Sequence, residues 1–114
     1  MIDRLPFLGV PYATANCLQL ALLVQEQLGH QIPDVLGLDP KDPAVPTSWW
    51  EHWAALDVGD REVGTVLVVR GDPLGVGTVL GPREVLTTDP PRGCHVQDLR
   101  TFVRPGVVGA WRPA

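Results

Sequence analysis

The stretch VGTVLVVRGDPLGVGTVLGPREVLTTD, residues 63–89, decides the fold of this chain. It contains three short runs rich in β-branched residues, separated by Gly, Pro and Asp: VGTVLVV (63–69), GVGTVLG (75–81) and EVLTTD (84–89). Such runs with turn residues between them predict strands. Two later runs extend the pattern, HVQDL (95–99) and VVGAWR (107–112). The short connections favour an antiparallel meander of about five strands.

The region before these strands predicts a helix over 17–28. Asn16 is a good N-cap, Gln19 can reach back to it in a capping box, and Gly29 provides the stop. One face of this helix is apolar, with Cys17, Ala21, Val24 and Leu28. The other is expected to face water, with Gln19, Gln25, Glu26 and Gln27.

The segment after Pro33 predicts a loop followed by a second, short helix. This helix is expected to begin at Thr47 or Ser48, either of which can serve as its cap, and to run to about Leu56. Helices followed by strands are typical of an α+β fold. We therefore expect the N-terminal helix to pack on one face of an antiparallel sheet.

Length and charge limit the organisation and the partners of the chain. With 114 residues and 45% hydrophobic content, a single domain spanning 1–114 is expected. Nine basic and 13 acidic residues give a formal net charge of −4, and the basic residues are scattered along the sequence. Scattered arginines suggest no phosphate-binding stripe, so no nucleic-acid partner is predicted. The N-terminus lacks the pattern of a signal peptide, and no membrane insertion is predicted.

The two cysteines, Cys17 and Cys94, are too few to form a disulfide framework, and both are expected to be reduced. His95 follows Cys94 directly, but a structural zinc site normally needs a second close pair of ligands. The sequence therefore predicts no metal site and no cofactor.

In order and spacing, several segments together resemble the NlpC/P60 family, the small papain-like cysteine peptidases that cut peptidoglycan stem peptides. They are NCLQLALLVQEQLGHQIP, GTVLVVRGDPLGVGTVLGPREVLTTD, GCHVQDL and VVGAWRP. The resemblance covers most of the chain, and it is closest to the short versions found in phage tail-assembly and tail-tip proteins. It implies a papain-like fold.

Carried over residue by residue, the resemblance implies a catalytic site that keeps its nucleophile but has lost its histidine base. Cys17 falls at the position of the family nucleophile, whereas Gly75 replaces the histidine base and Thr87 falls at the position that orients this base. Acyl transfer by cysteine requires a group that removes the thiol proton and later protonates the leaving amine. A helix N-terminus can lower the pKa of the thiol, but it cannot deliver a proton. Peptide hydrolysis is therefore expected to be lost, or at least very slow.

An alternative keeps the chain an active peptidoglycan peptidase with Cys17 as nucleophile and a relocated histidine. His30 lies about 20 Å from Cys17 along the predicted helix and is out of reach. His52 and His95 are the candidates for a relocated base. In contrast, Cys17 can also be interpreted as an inert core residue, because free cysteines are among the most buried residues.

Three tryptophans lie close together in the sequence: Trp49, Trp50 and Trp53. They either seal one end of the core or form an exposed patch that contacts a partner. The resemblance implies other phage tail or tail-hub proteins as partners, with peptidoglycan fragments as candidate ligands of the remaining groove. It also implies synthesis in the host cytoplasm and a final location in the virion tail, where an inactive domain would have a structural role.

Overall fold

The computed structural model describes residues 2–34 and 52–114. These residues form two helices and six strands: α1 (Cys17–Gln27), β1 (Trp53–Leu56), β2 (Val66–Val69), β3 (Gly75–Gly81), β4 (Glu84–Asp89), β5 (Gly93–Asp98), α2 (Leu99–Val103) and β6 (Val107–Pro113). All six strands belong to one antiparallel sheet in the order β1-β6-β2-β3-β4-β5. The predicted α+β class is confirmed, with six strands rather than about five.

Helix α1 begins at Cys17, as its local signals predict, and ends at Gln27, one residue before the predicted end. The Asn16 side chain accepts a hydrogen bond from the Gln19 backbone N–H, and the Gln19 side chain accepts one from the Asn16 N–H, both at 2.9 Å. At the other end, Gly29 has φ +95, which lets the chain turn out of the helix. Within the described residues, no helix is long and apolar enough to cross a membrane.

The sheet is buried on both sides. We call the side that packs against α1 the α1 face; its buried strand residues are Trp53, Val66, Val68, Val76, Leu86 and Cys94. We call the opposite side the α2 face; its buried strand residues Leu67, Val69, Val79, Val85 and Ala110 pack with Leu99 and Phe102 of α2. Because both faces are covered, β2 is a continuous apolar run instead of an alternating one.

The predicted second helix is wrong over the residues that the structure describes. Trp53 to Leu56 form strand β1, which pairs with β6 from Trp53↔Pro113 to Leu56↔Ala110. Thr47 and Ser48, the expected caps, lie outside the described residues. A run of only four residues carries too little periodicity to separate strand from helix, and pairing with the distant β6 decides the outcome.

The predicted strand at 95–99 ends one residue early and leads into helix α2. Strand β5 ends at Asp98, whose carboxylate accepts hydrogen bonds from the N–H groups of Arg100 (2.9 Å) and Thr101 (3.2 Å). Asp98 therefore caps a helix that the sequence interpretation missed. Its cap residue was the available signal, but a helix of five residues shows little periodicity.

Gln25 was expected to face water, and this is wrong. Its side chain is 1% exposed and donates a 2.9 Å hydrogen bond to the Gly64 carbonyl oxygen. A buried amide needs such a partner because leaving it unpaired costs free energy. The contact joins α1 to the segment that leads into β2.

Candidate functional site

A cavity of about 450 Å³ lies where the start of α1 meets the beginning of β3 and the end of β4. Its lining is mainly apolar, with four polar side chains; the lining residues are Tyr12, Cys17, Pro73, Leu74, Gly75, Thr88, Asp89 and Pro90. Cavities of this size and composition commonly hold small ligands or parts of larger ones.

The N-terminal segment forms one wall of the cavity because it is bound to β5. The Cys94 N–H donates to the Val10 carbonyl at 2.8 Å, and the Gly9 N–H donates to the Cys94 carbonyl at 2.9 Å. Gly93 has φ +67, and a β-carbon there would lie 2.7 Å from the Val10 oxygen. Only glycine permits this close approach, which brings Tyr12 to the cavity and leads the chain into α1.

Cys17 stands at the predicted helix start, but its thiol is not activated. The residue is 6% exposed and packs with the α1-face residues. Burial raises the pKa of the Cys17 thiol, and backbone hydrogen bonding, from Val76 first, opposes this shift only in part. The expected lowering of its pKa by the helix N-terminus is therefore outweighed, because burial disfavours the thiolate.

Gly75 lines the cavity together with Cys17, but a side chain at this position would point to the α2 face. Gly75 pairs directly with Val69, and a β-carbon on Gly75 would lie 2.8 Å from Val69 Cγ2. Directly paired residues share a face of the sheet. Position 75 therefore contributes backbone to the cavity, and Val76 is the residue of β3 whose side chain packs with Cys17.

The Thr87 hydroxyl group makes a structural hydrogen bond within the sheet. It is 6% exposed, and its hydroxyl donates to the Val76 carbonyl at 2.8 Å. Thr88, which is equally buried, lines the cavity and pairs with Cys94 of the α1 face. Its Oγ1 has no hydrogen-bond partner among the described groups. The strand register thus places Thr88, one residue beyond the position suggested by the resemblance, on the side of Cys17.

Asp89 provides the charged corner of the cavity. Its carboxylate accepts hydrogen bonds from the Arg92 backbone N–H (2.9 Å) and from Arg92 Nε (2.8 Å). Burial alone would raise the pKa of Asp89, but hydrogen bonds and charge from Arg92 outweigh it and leave this pKa below its ordinary value. Asp89 is therefore an ionised carboxylate whose charge is balanced by Arg92, and it is a weak proton acceptor.

The two candidate relocated bases differ in position. His95 Nε2 lies 3.9 Å from Asp89 Oδ2, and His95 Nδ1 lies 2.7 Å from the Gly93 carbonyl oxygen. His52 directly precedes β1, which two strands separate from β3. Neither histidine is among the described lining residues.

Both cysteines are free, as expected from the sequence. Cys94 is 4% exposed, and burial raises its pKa to about 11. Cys17 and Cys94 lie in different apolar clusters. Among the described residues, no group of three or more His, Cys, Asp or Glu side chains could hold a metal ion.

Of the three tryptophans, Trp53 lies in the core. It is 8% exposed and packs with Cys17 and its neighbours, so it does not belong to an exposed patch. Trp49 and Trp50 lie outside the described residues. The hypothesis of an aromatic contact surface therefore depends on those two residues alone.

Tyr12, Thr88 and Asp89 were missed as site residues by the sequence interpretation. The doublet Thr87–Thr88 was visible, but both neighbours are polar and buried, so no alternation identified which one faces the helix. Comparison of the chain with protein-family models, curated proteins and solved structures found no match.

Proposed function

We propose that this chain is a catalytically inactive NlpC/P60-like domain that serves as a structural or interaction component of a phage tail tip or tail-like particle. The observation that carries the proposal is the composition of the cavity beside Cys17. Its described lining offers a thiol, a hydroxyl, a phenol and a carboxylate, but no imidazole.

The chemistry of this lining supports loss of hydrolysis. Peptide cleavage by cysteine needs a thiolate and a group that protonates the leaving amine. Burial keeps Cys17 in its neutral form, and Asp89 is held as a carboxylate by Arg92. Neither group can carry the proton through both steps.

The arrangement of elements supports the proposed NlpC/P60-like fold. A helix that begins at Cys17 packs against β3 and β4, the strands to which the resemblance assigned the other two catalytic positions. In the register of the strands, Val76 and Thr88 occupy the positions that face α1. The resemblance puts the lost base at Gly75 and the lost orienting residue at Thr87, each one residue before a position that faces α1.

Incubation of the full chain with purified peptidoglycan and with defined stem peptides tests the inactivity. We expect no peptide release above that of the Cys17→Ala variant. Turnover that disappears in Cys17→Ala would overturn the inactivity and leave the proposed fold standing. Calorimetry with the same stem peptides tests whether the cavity still binds them without cutting.

The proposed location has its own test. Mass spectrometry of tail particles purified from the producing host should detect the chain at a constant ratio to the tail-hub proteins. Detection of the chain in the cytoplasmic fraction alone would contradict a tail component. The aromatic partner surface is tested by Trp49→Ser/Trp50→Ser, which should release the chain from such particles without unfolding it.

One observation favours the alternative of an active peptidase. His95 Nε2 is 3.9 Å from the carboxylate of Asp89, which lines the same cavity as Cys17. His95 pairs directly with Thr87, on the side of the sheet opposite Cys17, so in this mechanism its side chain would have to cross to the α1 face to reach the thiol. Hydrolysis lost in both Cys17→Ala and His95→Gln, and kept in His52→Gln, would establish it.

A further inference from the structure

The fold gathers four arginines that are far apart in the sequence. Strands and turns bring them around the short helix α2, and all four are exposed: Arg70, Arg83, Arg100 and Arg104. We call this set the α2 arginine patch. The sequence alone suggested scattered basic residues, because the spacing along the chain conceals this arrangement.

Backbone contacts fix the patch at both ends of α2. Arg100 and Arg104 are four residues apart and so leave the same side of the helix. The Arg83 carbonyl accepts a 2.9 Å hydrogen bond from the Leu99 N–H at the start of α2. Beyond its end, the Arg70 N–H donates to the Gly106 carbonyl at 2.9 Å, and Arg70 Nε lies 3.2 Å from where a β-carbon of Gly106 would stand.

Three of the four patch arginines differ from the other described arginines in lacking a side-chain partner within the described residues. Elsewhere in the described residues, arginine side chains bind carboxylates or backbone carbonyls of the chain itself, as Arg4, Arg61, Arg92 and Arg112 do. In residues 2–34 and 52–114, the side chains of Arg70, Arg83 and Arg104 have no hydrogen bond or ion pair. Arg100 Nε lies 3.9 Å from Asp98, whose carboxylate already caps α2.

We propose that the α2 arginine patch binds an acidic segment of a partner protein. Guanidinium groups bind carboxylates in pairs of parallel hydrogen bonds, and of these four only Arg100 has a carboxylate of the described residues near it, Asp98 at 3.9 Å. The chain as a whole has a net charge of −4, so the patch is a local basic area on an acidic molecule. A short acidic segment can contact this area alone. A nucleic acid is more extended and densely charged, so its phosphates would also meet the acidic rest of the molecule and be repelled.

This inference goes beyond the proposed function and does not depend on the state of Cys17. Its test uses the full chain with a fluorescent octaglutamate peptide and, for comparison, an oligothymidylate of matched charge. Binding is followed by anisotropy at about 20 and about 200 mM sodium chloride. We expect the octaglutamate to bind more tightly than the oligothymidylate and to weaken as salt is raised.

Arg100→Gln/Arg104→Gln lowers the net charge by two at the patch. Val58→Glu/Val63→Glu lowers it by the same amount at two exposed valines of the β1–β2 connection, and serves as the matched control. We expect the patch variant to weaken octaglutamate binding about fivefold or more and the control to change it little. Circular dichroism checks that both variants are folded.

Three results would overturn the proposal. They are absence of octaglutamate binding at low salt, equal weakening by the patch and control variants, and tighter binding of the oligothymidylate. The last would make the patch a nucleic-acid site. Salt-sensitive self-association that Arg100→Gln/Arg104→Gln removes would support the proposal and identify a second copy of the chain as the acidic partner.

Discussion

Thr87 and Thr88 are neighbours in β4 with equal exposure, but their hydroxyl groups have different surroundings. Thr87 Oγ1 donates to the Val76 carbonyl, whereas Thr88 Oγ1 has no partner among the described groups. A buried hydroxyl without a partner loses its hydration and gains no hydrogen bond in exchange. Comparing the two residues therefore measures how much one buried hydrogen bond contributes to the free energy of unfolding.

Replacement of each threonine by valine should shift stability in opposite directions. Thr87→Val removes the hydrogen bond to the Val76 carbonyl, so we expect a loss of about 1 kcal/mol in the free energy of unfolding. Thr88→Val removes only an unpaired hydroxyl and should be neutral or stabilising by up to about 1 kcal/mol. Urea denaturation measures both. Equal losses in the two variants would mean that Thr88 has a partner in solution.

The raised pKa of Cys17 predicts slow reaction with alkylating agents. In the variant Cys94→Ala, whose single thiol is Cys17, alkylation by iodoacetamide at about pH 7.5 should be at least about tenfold slower than that of free cysteine. Because a raised pKa leaves less thiolate at this pH, the rate should still increase with pH beyond the ordinary thiol pKa. Mass spectrometry measures the rate. Fast alkylation near neutral pH would contradict the neutral, buried thiol.

At the scale of elements, the separation of α2 from β3 depends on one glycine. A β-carbon on Gly77 would collide with Val85 Cγ1 and lie 2.8 Å from Phe102 Cζ, whereas one on Gly81 of the same strand would meet nothing within 4 Å. Helix α2 thus packs against β3 at a distance that only glycine allows.

Gly77→Ala should therefore destabilise the domain by about 1–3 kcal/mol, because the added methyl group overpacks the α2 face. Gly81→Ala is the matched control and should change stability by less than about 1 kcal/mol. Thermal unfolding of the two variants under identical conditions gives the comparison. Similar melting temperatures would show that α2 moves away without cost.

The elements that the sequence predicted are those with strong local signals. Asn16, Gln19 and Gly29 define α1 through caps alone, and β-branched runs define β2 to β4. The face of each strand could not be predicted, because residues on both sides of the sheet are buried and alternation is lost. Only the pairing of the strands shows which way the side chains at positions 75 and 87 point. It also shows which residues line the cavity.

At the scale of the whole molecule, ion pairs connect distant parts of the chain. Arg4 binds Glu84 and ties the N-terminal segment to β4, while Arg112 of β6 binds Asp60 and Glu62 in the β1–β2 connection. Hydrogen bonding lowers the pKa of Glu84, mainly from Arg4, and that of Asp60, mainly from the Glu62 backbone.

Acid should weaken the domain through these carboxylates. Glu84, Asp60 and Asp89 have pKa values below their ordinary ones in the folded chain, so the unfolded chain binds more protons. The stability that they contribute is complete above their ordinary pKa and is lost as the pH falls through the folded values. The urea midpoint should fall between about pH 6 and about pH 3, with a shallower slope in Arg4→Gln, since Arg4 is the main cause of the lowered pKa of Glu84. A midpoint that rises on acidification would contradict this.

The position of β6 between β1 and β2 has a consequence for biosynthesis. The ribosome makes β6 after the other five strands, so a nascent chain that already contains β1 and β2 lacks the strand that joins them. Two open strand edges are then available to other nascent chains. The greatest danger of aggregation therefore falls in the interval before residues 107–113 emerge, and a chaperone that shields the chain during that interval would improve its yield.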